Sequence, residues 1–273
     1  MTVPAIRKFD PARMFNPQSV SLSGSNTLFG QQILANLRAG GFKGGIGTDE
    51  NEVENADLAL VADAPEHVEA ALVRHARMGA RGAMVLSHNV EGVGGMARAA
   101  GIRVLGPHSF GLMLPGTGLN ATPFGLMPPK GRVALVGQSS SIARTVIDWA
   151  VPNAVGFSHL LGIGGNSDMG FGLVLDHFSR DPGTAAIMIE LDRLRDPKAF
   201  FSAARAFDTC NCSVDSVTPV TSAPVVSARY RPRPPQPDPI SSTRSPGRSN
   251  SLAARCRFLA SWASSSDISD DSK

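Results

Sequence analysis

Two stretches set glycine and hydroxyl residues between an apolar run and a helical pattern, an arrangement that can seat an anion. In "LSGSNTLFGQQ", Ser23, Gly24 and Ser25 follow the first apolar run and Gly30 opens the helix. Glycine removes the Cβ, serine adds a hydroxyl donor, and the amides of a helix start point at whatever approaches, so such a corner can hold a phosphate. The spacing is not the strict G-x-G-x-x-G of dinucleotide-binding folds, and an ordinary tight strand-to-helix turn has the same composition. Asp49 and Glu50, about twenty residues on, can take ribose hydroxyls as in a nicotinamide-dependent oxidoreductase, or stand as solvated loop acids. In "GQSSSIA", Gln138 and the hydroxyls of Ser139, Ser140 and Ser141 precede a second helix, where one serine can equally serve as a cap. "GPHSFG" presents His108 and Ser109 between glycines, and "GIGGN" allows close backbone approach at Gly162, Gly164 and Gly165. No G-x-S-x-G elbow surrounds any of these serines, so hydrolase chemistry has no support and no residue is assigned as catalytic.

These corners need strands and helices to hold them, and the chain alternates short apolar runs with helical segments throughout, the pattern of an α/β fold with a mainly parallel sheet. "SVSLSG", "ADLALVA", "RGAMVLS" and "GIRVLG" read as strands, with helices in "FGQQILANLRAG", "PEHVEAALVRHARMG" and "EGVGGMARAAG" between them. "PGTGLNATPFGLMPPKG" has no period and reads as a crossing between domains. Beyond it "RVALVG", "NAVGFSHLLGIGG" and "TAAIMIEL" are predicted strands, and "SSSIARTVIDWA", "MGFGLVLDHFSRD" and "DPKAFFSAARAF" predicted helices. The expected order is an N-terminal arm (1–14), a Rossmann-like domain (15–125), a partial flavodoxin-like α/β domain (130–207) and a disordered Ser/Pro/Arg-rich tail (208–273). The two hydroxyl-rich corners are then the first βα turns of successive α/β domains.

Composition narrows the function. A net charge of +3 over 273 residues, with no run of like charge before residue 228, excludes nucleic acid as the expected partner. No apolar stretch is long enough to span a bilayer and the first residues lack a signal-peptide pattern, so a cytoplasmic location without membrane contact is expected. Cys210, Cys212 and Cys256 form neither a disulfide framework nor a zinc site. His67 and His75 read as residues of a surface helix, His88 ends a strand, His159 lies in a strand and His177 on a helix. No two of them have ligand spacing, so no metal site of protein side chains is expected.

The ordered motifs resemble the α-subunit-type, CoA-binding part of nucleoside-diphosphate-forming acyl-CoA synthetases, relatives of succinyl-CoA ligase. The resemblance rests on "FNPQSVSLSGS" with "FGQQILANLRAGGFKGGI", "GIRVLGPHSFGLMLPGTGLNAT", "GRVALVGQSSSIARTVIDWA" and "VGFSHLLGIGGNSDMGFGLVLDHFSRDPGTAAIMIELDRLRD", about residues 15 to 207. It implies a CoA-binding domain followed by a succinyl-CoA synthetase-like domain, with CoA or acyl-CoA as ligand and an ATP-grasp subunit or domain as partner. It also implies that Ser23, Gly24, Ser25 and Gly30 form the CoA pyrophosphate turn and that Ser87 and His88 make a further CoA contact. Gln138 and Ser139 would face the phosphate site, and Asp192 would stand for a glutamate that holds a phosphohistidine. His108 and Ser140 replace the asparagine and glycine of the family pattern, and His177 is the last histidine of the chain, so the phosphohistidine itself has no counterpart. The expectation is a CoA- or acyl-CoA-binding protein that does not run the ligase reaction alone. The alternatives are an α-type ligase subunit completed by its partner and an NAD-binding oxidoreductase.

Overall fold

The computed structural model describes residues 8–211. The stretch read as a disordered tail falls, from residue 212, outside the described residues. A short helix, α1 (Pro11–Phe15), is capped by the Asp10 carboxylate on the Ala12 amide and buries Met14 and Phe15, so the segment read as an arm is part of the core.

The first sheet is built from β1 (Ser19–Ser23), β2 (Gly45–Gly47), β3 (Leu58–Val61), β4 (Gly82–Val85) and β5 (Arg103–Leu105), all parallel, in the order β2-β1-β3-β4-β5. β3 and β4 are buried at every position, as expected of apolar runs covered on both faces. The intervening helices are α2 (Leu28–Ala39), α3 (Val68–Arg77) and α4 (Val93–Ala100). α3 buries Val68, Ala71, Leu72, His75 and Ala76, a helical stripe of spacing 0, 3, 4, 7 and 8. His75 is therefore a core residue, 2% exposed, and not a surface one as its type suggested. The chain leaves β1 for β2 on one side and then crosses to β3 on the other. The crevice of this doubly wound sheet opens at the carboxyl ends of β1 and β3.

The second sheet has the order β10-β8-β9-β6-β7, from β6 (Leu112–Leu114), β7 (Leu119–Ala121), β8 (Lys130–Gly137), β9 (Phe157–Gly162) and β10 (Ala186–Ile189). β8, β9 and β10 run parallel, whereas β6 pairs antiparallel with both β9 and β7. The stretch 112–121, assigned from sequence to the first domain and the crossing, is a hairpin on the second sheet. Its buried Leu112, Met113, Leu114 and Leu119 come in runs of three too short to show a period among Pro and Gly. α5 (Ser140–Ala150), α6 (Phe171–Phe178) and α7 (Pro197–Asn211) complete this half.

The "GPHSFG" loop joins the halves. Gly106 donates to the Ile163 carbonyl, Gly165 to Pro107, and Ser167 to Gly106, while His108 and Ser109 donate back to Ser87 and Val85. At its centre the buried Ser109 hydroxyl donates to the Gly162 carbonyl at 2.7 Å and accepts from Gly111 at 3.0 Å. Ser109→Ala leaves a buried carbonyl and amide without this partner and should cost about 2 kcal/mol in urea unfolding. An unchanged midpoint would show that the seam does not depend on it.

Candidate functional site: the corner after the first strand

The first corner is shaped by what glycine leaves out. Gly24 has a positive φ of 74°, and a Cβ there would lie 2.6 Å from the Ala62 carbonyl carbon. A Cβ on Gly30 would stand 2.0 Å from the Gly24 carbonyl oxygen, so helix and turn meet backbone to backbone. Thr27 caps α2: its hydroxyl accepts from the Gly30 amide at 2.9 Å and donates to the Gly24 carbonyl at 2.8 Å. Leu28 and Phe29, the first residues of the helix, have amides with no carbonyl partner inside it. Leu28 is 88% exposed.

The serines divide where the strand ends at Ser23 and the chain turns at Gly24. Ser23 is buried, and its hydroxyl donates to the Asp63 carboxylate. The Ser87 hydroxyl, also buried, donates to the Asp63 carbonyl at 2.6 Å. Both hydroxyls are engaged by Asp63, one by its carboxylate and one by its carbonyl. Ser25 is the serine at the mouth, and its amide and hydroxyl both donate to Asp49 Oδ2, at 2.8 and 3.0 Å. Asp49 Oδ1 is paired with the Arg74 guanidinium. Burial raises the Asp49 carboxyl, but Arg74 and the two Ser25 donors outweigh it and hold the group below its ordinary range. Asp63 moves the other way: burial raises it and neighbouring Asp49 adds to this, against the Ser23 hydroxyl. Of the acids read from sequence, Asp49 thus belongs to the corner with both oxygens engaged, whereas Glu50 is exposed.

His88 and His108 form the rim, with their Nδ1 atoms 3.2 Å apart, and the Phe29 ring lies 6.1 Å from that of His88. Asn89 donates its amide to His108 Nε2 at 2.9 Å, so neutral His108 carries its proton on Nδ1 and donates it to His88. His88 is then left with Nε2–H, a donor at the crevice edge. Partial burial, and after it the neighbouring imidazole, lower His108 below the usual histidine value.

The second corner repeats the device. The Glu190 carboxylate, at the end of β10, accepts from the amides of Gln138 and Ser139, both at 2.7 Å. Ser139 caps α5 through the Ile142 amide. The Gln138 side chain donates to Gly164 and accepts from the backbones of Asp192 and Arg193, so it clamps three loops together. Asp192 enters only through its backbone. The acid at this corner is Glu190, two residues earlier than the position assigned by resemblance. Its signal was present in the sequence, as the first charged residue after the apolar run "AIMI". Among the described residues no group of three or more His, Cys, Asp or Glu comes together as a metal site, and no helix is long and apolar enough to cross a membrane.

Residues 130–214 match the family described as succinyl-CoA ligase like flavodoxin domain. The chain is 27% identical to acetate–CoA ligase [ADP-forming] I of Archaeoglobus fulgidus over 56% of its own length and 24% of that protein. It is also 27% identical to the α subunit of acetate–CoA ligase [ADP-forming] I of Pyrococcus furiosus, over 70% of this chain and 49% of the other. Among solved structures, the dinucleotide-forming acetyl-coenzyme A synthetase 1 of Ca. Korarchaeum cryptofilum, in complex with phosphate and ADP, superposes with a TM-score of 0.66 at 25% identity. That match covers 73% of this chain and 50% of the other. The chain spans half or less of the length of each of these relatives. Residues 130–214 thus carry a succinyl-CoA ligase-like flavodoxin domain, and over more than half of its length the chain is similar to part of the ADP-forming acetate–CoA ligases.

Proposed function

We propose that this chain binds CoA or an acyl-CoA, with the ligand's pyrophosphate at the start of α2. The observation that carries the reading is the corner itself. Two open helix-start amides, at Leu28 and Phe29, lie at the switch point of a parallel sheet, between glycines that let an anion reach the backbone. CoA supplies the thiol when bound. The chain's contribution is to orient it: amides on the phosphates, the His88 imidazole at the rim, and Leu28 and Phe29 as apolar cover. Similarity to acetate–CoA ligases supports CoA over other phosphate-bearing ligands.

The test is calorimetric titration with CoA and acetyl-CoA. Heat is expected with both, weakening as ionic strength rises because the contacts are to phosphate, and no competition is expected from NADH. No heat with either thioester or thiol would remove the reading. In the nicotinamide alternative Asp49 would have to leave Ser25 and Arg74 to take ribose hydroxyls.

A second reading is favoured by the similarity to a Pyrococcus furiosus α subunit. In it the chain acts as the CoA-binding part of an acyl-CoA ligase whose ATP-grasp and phosphoryl-relay parts come from a partner. Formation of acyl-CoA from acid, CoA and ATP only after mixing with such a subunit separates this from binding alone.

A further inference from the structure

Asp49 engages donors of the first corner that suit an anionic group. One oxygen takes the amide and hydroxyl of Ser25, at 2.8 and 3.0 Å, and the other takes the Arg74 guanidinium. A carboxylate that collects a turn amide, a hydroxyl and an arginine makes the contacts of a phosphate oxygen. Arg74 Nε is buried with no hydrogen-bond partner among the described residues, so Asp49 is the anion that the structure shows on this guanidinium. Glu50, the next residue, is exposed and makes none of these contacts. The partly buried Asp63 lies nearby, so a phosphate entering while Asp49 stays in place meets two carboxylates and one guanidinium.

We propose that Asp49 is an internal competitor for the anion seat and so a specificity-determining residue of it. A diphosphate-bearing ligand binds by displacing the Asp49 carboxylate from Ser25, and the Arg74 guanidinium then pairs with the incoming phosphate. Ligands without a phosphate at this point have nothing to offer in exchange and leave the seat closed. This deepens the CoA reading and rests on it. The apparent affinity of the parent protein is lowered by the fraction of molecules in which Asp49 holds the seat.

The experiment is titration of CoA into the parent chain and into Asp49→Asn, Asp49→Ser and Glu50→Gln, each checked for folding by urea unfolding. Removing the competitor should tighten CoA binding about tenfold or more in both Asp49 variants, because charge-assisted bonds of this kind are being released. Glu50→Gln removes the same charge without the contacts and should change affinity by less than about threefold. Equal gains in Glu50→Gln and Asp49→Asn would reduce the effect to general charge and overturn the proposal. So would CoA binding that the Asp49 variants leave unchanged or weaken. CoA bound by neither the parent nor any variant would overturn the CoA reading as well.

Discussion

Gly30→Ala is expected to lower the thermal midpoint by about 10 °C and to remove measurable CoA binding. The new methyl carbon would stand 2.0 Å from the Gly24 carbonyl oxygen, and neither partner is a side chain that can rotate away. The helix start must move away from the turn, which breaks the Thr27 cap and shifts the Leu28 and Phe29 amides out of line. Overpacking of this kind against backbone costs about 3 kcal/mol, which for a domain of this size corresponds to the stated shift. Gly95→Ala is the matched control. It lies inside α4, where a Cβ meets nothing within 4 Å, and the change should stabilise by up to about 1 kcal/mol. A Gly30→Ala protein with the parent's midpoint and affinity would show that the close approach of α2 to the turn is not required.

The second large effect is acid sensitivity from buried imidazoles. His75 is pushed down to about 4, first by burial and then by neighbouring Arg74, against the pull of Asp49. His159 is also pushed down to about 4, by burial and by His177, against the pull of Asp181. Its Nε2 faces the Asn16 side-chain oxygen while its Nδ1 is buried without a hydrogen bond. A histidine depressed in the folded state takes up its proton more readily in the unfolded chain. Stability is therefore complete above about pH 6.5 and falls as pH drops toward 4. Each group should remove about 2 kcal/mol between pH 7 and pH 5, about 4 kcal/mol together. Urea unfolding across that range measures it, and His75→Leu should roughly halve the slope. A flat profile between pH 7 and pH 5 would contradict the buried neutral state of both groups.

The frame was legible where the physics is local. β1, β3, β4 and β5 are apolar runs bounded by glycine or charge, and α2 to α7 carry clear stripes, so sheet class and helix order follow from the sequence. β2 was not, since Gly45-Ile46-Gly47 has neither length nor propensity and is ordered only by pairing with β1. The hairpin of β6 and β7 was assigned to the wrong half for a related reason, because a strand's sheet is decided by its partner, here β9, which lies about 45 residues later.

Glycine placement made the first corner legible, but the commitments of its polar groups were not. Ser23 and Ser25 look alike in sequence, yet Ser23 ends β1 with its hydroxyl on Asp63, whereas Ser25 lies beyond the positive-φ Gly24 with its hydroxyl on Asp49. Asp49 is pinned by Arg74, and Glu190 by the amides of a turn about 50 residues earlier. These pairings depend on topology and have no short-range signature. Resemblance assigns the second corner's acid to Asp192, but "ELD" holds two acids two residues apart, and the Glu190 carboxylate is the one that takes the turn amides. The parallel register of β10 against β8, Ile189 beside Val136, sets Glu190 next to that turn.

The measurement that bears most directly on the account is a crystal structure grown with CoA. The expected result is a pyrophosphate on the Leu28 and Phe29 amides, with the Asp49 carboxylate moved off Ser25 and Arg74 turned to the phosphate. CoA held elsewhere with this corner unchanged, or crystals free of CoA at millimolar concentration, would contradict it.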